Sequence, residues 1–154
     1  SDEKKSNVKF YLSYERKADY SADYRKYFWI DKEDYDKLKL SASGSSSLKY
    51  NPRRSQDETY VEVTSLDIWN QDHNIDRVDL LWIDVQGAER GVINGAKNLL
   101  KATKFVFIEY GEMEYQGAMD KKSTIDLLNS HGFKLIKDNS QRAGDLIFKN
   151  ISIQ

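Results

Sequence analysis

The chain has no cysteine, which rules out disulfides and zinc–thiolate sites and fits a reducing compartment. A cytoplasmic location is therefore expected. Histidine is scarce as well: His73 and His131 are the only two, which leaves little room for histidine-rich metal chemistry, and no metal site is expected. No charge of one sign dominates. Lys and Arg number 24 against 25 Asp and Glu, for a net charge of -1, and this argues against a nucleic-acid-binding surface. No apolar run approaches the roughly 18 residues of a membrane span, and the first residues carry no signal-peptide pattern. G-x-G-x-x-G, the P-loop and the G-x-S-x-G elbow are all missing. Dinucleotide binding of the usual kind, P-loop phosphate binding and Ser–His–Asp hydrolysis thus lose their sequence support.

What is present is enough chain, at 154 residues, for one domain with a real core and too little for two comfortable ones. Val8, Phe10 and Leu12 alternate with polar neighbours, the period of a half-buried strand over Asn7–Ser13. From Tyr14 to Glu58 the chain is polar and tyrosine-rich. Tyr20, Tyr24 and Tyr27, followed by Phe28, Trp29 and Ile30, read either as a local packing stripe or as rings for stacking on a substrate. Ser41–Ser47 (SASGSSS) reads either as a linker or as a mobile substrate-side loop.

Regular structure resumes with the alternating strand Tyr60–Val63. Thr64 and Ser65 are candidate N-caps for a short helix carrying Leu66, Ile68 and Trp69. The run Leu80-Leu81-Trp82-Ile83 is apolar at every position, as expected of a strand covered on both faces in the middle of a parallel sheet. It ends on Asp84, turns at Gln86-Gly87, and enters a helix from about Gly87 to Leu100. Gly87, Gly91 and Gly95, four apart, suggest close packing of that helix on the sheet. Phe105–Ile108 is a second apolar strand, ending on Glu109. A helix over Lys121–Ser130 stops at His131-Gly132, and Phe133–Ile136 and Leu146–Phe148 close the chain. Beginning at Tyr60–Val63, strands and helices alternate, which predicts an α/β sheet built from crossovers. The last two strands, joined only by Lys137–Asp145, should form an antiparallel hairpin.

Ligands bind beyond the carboxyl ends of strands in open α/β sheets, where Asp84 and Glu109 stand. On adjacent parallel strands about 4.8 Å apart, the two carboxylates could flank one pocket. Such a pair can act as a general base, bind substrate hydroxyls or hold a divalent metal. Glu89, in the first helical turn, is favourable there on charge alone. His131 reads as a helix-terminal residue, and His73 as a loop residue without an evident partner.

The block Val61–Asp67, then Ile75–Glu89 (IDRVDLLWIDVQGAE), then Val92-Ile93-Asn94-Gly95-Ala96 resembles the FkbM methyltransferases, whose pattern runs "LD", "DLLKIDVEGAE", "VLKGA". Phe105–Tyr110, Ile125–Leu128 with His131-Gly132-Phe133, and Gly144–Phe148 continue the likeness, as does the region of Ser1–Lys4 with Val8–Ser13. Residues 1–154 would then be a partial domain, with a substrate-side region at 14–58 and a core α/β half at 59–150. The resemblance implies a Rossmann-like sheet, strands four to seven of it present, with helices on both faces and a final antiparallel hairpin. It also implies an S-adenosylmethionine-dependent O-methyltransferase acting on a sugar or glycan-like hydroxyl. Asp84 and Glu109 would be catalytic, Asp84 and Gln86 would face the cofactor, and Ser46, Ser47, Glu89 and Tyr110 the acceptor. Trp82 and Gln86 stand where the family usually has Lys and Glu, so a charged role at either does not carry over.

Strands one to three and the family's Gly-rich cofactor loop do not occur in the chain and would lie upstream of Ser1. The expected partner is therefore an amino-terminal segment of the same polypeptide. Without it, Leu80–Ile83 becomes an exposed apolar edge, and the chain alone should bind cofactor weakly or not at all. Two other classes stay open: a non-catalytic interaction module derived from a methyltransferase, and a carboxylate-based metal-dependent hydrolase.

Overall fold

In the computed structural model the described residues are 6–15, 40–41, 47–52, 55–111, 115–139 and 143–153. The tyrosine-rich stretch at 20–30 lies outside them. The alternation at Val8 and Phe10 produces strand β1, Ser6–Glu15, and the alternation at Tyr60–Val63 produces the end of β3, Ser55–Val63. These two pair antiparallel from Ser6↔Val63 to Tyr14↔Ser55, and the short β2, Leu40–Ser41, lies on the other edge of β1. Here one expectation is corrected. Tyr60–Val63 does not open the crossover sheet; its ladder is filled by β1 in a separate three-stranded sheet, ordered β2-β1-β3.

The second sheet follows from the remaining apolar runs: β4 (Val78–Ile83), β5 (Thr103–Gly111), β6 (Phe133–Asp138) and β7 (Ala143–Asn150). Its order is β4-β5-β7-β6. β4 and β5 run parallel, while β7 is antiparallel to both β5 and β6. The expected closing hairpin is present. The fold is therefore mixed α/β.

Register decides which side chains share a face, and burial follows it. Ile83 stands opposite Ile108, Val106 opposite Phe148, and Ile108 opposite Leu146. These five form one continuous core with Ile93, Ala96, Leu99, Leu100 and Leu128 of the helical segments. Leu80 and Trp82, on the opposite face, are 53% and 68% exposed. Trp82 keeps a tilted ring contact with Phe107, centroids 4.9 Å apart. The unbroken apolar run of β4 predicts a central, doubly covered strand in a complete sheet and an exposed apolar edge where the amino-terminal strands are missing. Among the described residues β4 is an edge strand, as the second expectation has it, and the fully buried core packs on one face of the sheet. The reason is that β5 is the only described strand pairing with β4.

Among the described residues there are three α-helices: α1 (Leu66–His73), α2 (Glu89–Asn94) and α3 (Lys121–Ser130). Ser65 N-caps α1 by accepting from the Ile68 N–H at 3.2 Å. Asp120 caps α3 through Ser123. The helix expected over Gly87–Leu100 is broken. α2 ends at Asn94, and a separate 3-10 turn spans Leu99–Ala102. The Asp67 carboxylate of α1 takes the Asn98 and Leu99 N–H groups at 2.9–3.0 Å, capping that turn from outside, while the Asp67 N–H donates to the Gly95 carbonyl at 2.8 Å. His73, expected in a loop without a partner, ends α1 and stacks on Trp69 with centroids 3.8 Å apart.

Candidate active site

After Ile83 the chain leaves β4 through Asp84 and Val85 and turns at two residues with left-handed backbone, Gln86 (φ 52) and Gly87 (φ 94). Glycine is required at the second: a Cβ there would lie 2.5 Å from the Tyr115 Cβ. Gln86 adopts the same region at a conformational cost and is held from two sides. Ser47 Oγ donates to the Gln86 carbonyl at 2.6 Å, and the Tyr115 hydroxyl donates to Gln86 Oε1 at 2.8 Å. Beyond the turn, Glu89 Oε1 accepts the Gly87 N–H at 2.8 Å, a negative charge placed where a helix start favours it.

Parallel pairing sets Ile83 against Ile108, so Asp84 and Glu109 follow as neighbours at the carboxyl-terminal end of the sheet. β5 runs on to Gly111, so Glu109 lies within the strand rather than ending it; the antiparallel ladder with β7 continues through Gly111↔Ala143. The two carboxylates share one donor. Gln86 Nε2 lies 2.6 Å from Asp84 Oδ1 and 3.4 Å from Glu109 Oε2. Asp84 is exposed and Glu109 half-buried. The arrangement can hold a hydroxyl group between two acceptors and receive its proton.

The other residues expected to bind substrate fall elsewhere. Ser46 lies outside the described residues. Ser47 is buried at 2% exposure; it bridges to Tyr11 through two backbone hydrogen bonds and accepts from the Lys49 N–H at 2.9 Å. Its hydroxyl proton is spent on the Gln86 carbonyl, so Ser47 anchors the turn instead of forming part of a mobile loop. Glu89 is 5% exposed and engaged by Gly87. Tyr110, at 2%, packs in the core. His131 C-caps α3. Tyr115 was missed by sequence reasoning. It is 29 positions from Gln86, and no local pattern links the two.

A cleft of about 1190 Å³ opens between the β1–β3 sheet and the β4–α2 segment, with Phe10, Lys49, Val61, Trp82, Asp84 and Arg90 among its walls. Among the described residues no three His, Cys, Asp or Glu side chains gather to hold a metal ion. No helix among them is long and apolar enough to cross a membrane.

The model of the methyltransferase FkbM domain matches residues 13–135. The 2-O-methyltransferase NoeI of Sinorhizobium fredii (strain NBRC 101917 / NGR234) is 37% identical over 95 residues, which cover 60% of this chain and 38% of that protein. The chain thus spans well under half the length of this curated relative. No solved structure matches it. With a family match over most of its length, the chain belongs to the FkbM methyltransferase domain family.

Proposed function

We propose that this chain forms the acceptor-side wall of an S-adenosylmethionine-dependent O-methyltransferase that modifies a sugar or glycan-like hydroxyl. The observation that carries the proposal is the side-by-side placement of Asp84 and Glu109 around one amide. The acceptor hydroxyl would lie against Glu109, which takes its proton, with Asp84 orienting it. Holding the acceptor in line can supply most of the acceleration, with effective molarities up to about 10⁵–10⁸ M. A carboxylate base adds roughly 10²–10⁴-fold. The 2-O-methyltransferase relative supports a hydroxyl as the acceptor.

The residues present fit part of the cofactor. When bound, it supplies a methyl group on a cationic sulfonium. Asp84, exposed and with one oxygen taken by Gln86, suits a cationic group. Gln86, the other residue expected to face the cofactor, has its amide nitrogen directed at two carboxylates and its amide oxygen occupied by Tyr115. Most remaining contacts would come from sequence outside this chain, and the chain alone should bind the cofactor weakly. Isothermal titration checks this: micromolar binding to the isolated chain would contradict it. The activity itself is tested in the full-length protein with methyl-labelled S-adenosylmethionine and a panel of methyl glycosides. Label is expected in an alkali-stable ether; a protein that binds cofactor but labels no glycoside would refute the acceptor class.

A further inference from the structure

The cleft beside Asp84 is basic, although the whole chain carries a net charge of -1. Among the described residues its charged walls are Lys9, Lys49, Arg90 and Asp84. Lys9 is already neutralised, its ammonium 2.8 Å from Glu58 Oε2 across the β1–β3 ladder. Lys49 and Arg90 belong to no ion pair among the described residues. Arg90 also feels Asp120, but its charge is the weakest of the influences on that carboxyl. The backbone brings the three remaining groups together. Asp84 and Arg90 flank the Gln86–Gly87 turn, which joins the end of β4 to the start of α2. Lys49 arrives from a distant part of the chain: its N–H donates to Ser47 Oγ at 2.9 Å, and that hydroxyl donates to the Gln86 carbonyl at 2.6 Å. Ser47 is buried, so the tether fixes the Lys49 backbone against the turn.

Long cationic side chains ordinarily spread into water, where their charges are screened. Two held in one cleft repel each other, and the cleft attracts anions. Phe10 and Trp82 line the same cleft and offer aromatic surface to the C–H face of a sugar, the combination of apolar walls with a few fixed polar groups that small-molecule sites use. We infer that Lys49 and Arg90 form an anion-binding subsite of the acceptor cleft, so that the preferred acceptor is a sugar bearing a carboxylate or a sulfate ester besides the hydroxyl that is methylated. This rests on the reading of Asp84 as part of the acceptor site and names the class of sugar. The planar Arg90 guanidinium matches either oxyanion with two parallel N–H donors, and Lys49 adds a point charge. Asp84 repels the same anionic group, so the two signs together fix which way round the sugar lies.

Equilibrium binding to the full-length protein, measured without methyl transfer, tests this with methyl glucuronide, a sulfated methyl glucoside and neutral methyl glucoside. The anionic probes are expected to bind about tenfold tighter than the neutral one, and the preference should shrink with added salt. Whichever anionic probe gains more identifies the substituent. Lys49→Gln combined with Arg90→Gln should abolish the preference and leave the affinity for the neutral glucoside unchanged. Lys9→Gln removes a charge that Glu58 already offsets and should leave the preference in place. Equal binding of charged and neutral probes by the unsubstituted protein, or a preference that survives the double substitution, would overturn the inference while the acceptor-site reading stands. Weaker S-adenosylmethionine binding in the double variant, with sugar binding unchanged, would also overturn it and assign the two cations to the cofactor's carboxylate. Failure to bind any of these sugars would refute both. A preference that depends on Lys49 and Arg90, in a protein that transfers no methyl group, would support the inference while rejecting the acceptor-site reading.

Discussion

Three glycines four residues apart look alike in sequence, yet only two of them have a steric reason to be glycine. Gly87 holds a left-handed φ of 94 and has Tyr115 where its Cβ would go. Gly95 closes α2, and a Cβ there would come within 2.9 Å of the Ser65 Cβ. Gly91 has nothing within 4 Å, so the expected glycine stripe against the sheet does not exist at its middle position. Gly91→Ala should therefore leave stability unchanged or raise it by up to about 1 kcal/mol through helix propensity. Gly87→Ala should cost about 2 kcal/mol or more, combining backbone strain with the Tyr115 overlap. Urea unfolding midpoints of the two variants check the contrast, and equal costs would refute it. At this scale the sequence made Asp84, Glu109 and the Gly87 turn legible, because an apolar run that stops on a carboxylate is a local pattern. Gln86's contact with Glu109, its contact with Tyr115 and the anchoring role of Ser47 were not legible. Those contacts span 23 to 39 positions and depend on how the β1–β3 sheet and the loop before α3 come back over the turn.

Elements were read well where capping chemistry is local and poorly where a distant group ends them. α3 runs over the expected Lys121–Ser130 because Asp120 starts it and Gly132, at φ 83, follows its end. The segment after Gly87 was read too long, because the break at Gly95 and the 3-10 turn owe their stability to Asp67, 31 and 32 residues away. Asp120 also gives the fold a pH dependence. Hydrogen bonds from the Ser123 hydroxyl and then its backbone N–H hold the Asp120 carboxyl below its ordinary value of 3.8. A carboxyl lowered on folding contributes stability in full above the ordinary value and loses it as pH falls through the lower folded value. Asp120→Asn keeps a capping acceptor and removes the charge. Its Tm should lie slightly below that of the unsubstituted protein at pH 7, and the two should converge below about pH 3.8. A difference that does not shrink as pH falls below 3.8 would contradict this origin.

At the scale of the whole molecule, the sheet has one finished face and one open one. The run Leu80–Ile83 was legible as a strand, but its apolar composition could not reveal that alternate residues face opposite ways with only one side fully buried. Trp82 is 68% exposed. Trp82→Lys should change stability by no more than about 0.5–1 kcal/mol, the scale of its contact with Phe107. It should also reduce self-association, because it removes a large exposed apolar group beside a strand edge that no described strand pairs. Sedimentation of the two proteins across a concentration series measures this, and unchanged association would show that another surface drives it. Asp84 and Glu109 are proposed as the acceptor site of a methyltransferase. The most direct measurement of this role is the single-turnover rate of labelled methyl transfer by the full-length protein and by its Asp84→Asn and Glu109→Gln variants, at saturating S-adenosylmethionine. Losses of roughly 10²–10⁴-fold are expected in Glu109→Gln and a substantial loss in Asp84→Asn, with both variants folded. Folded variants that transfer methyl groups at the unsubstituted rate would contradict it.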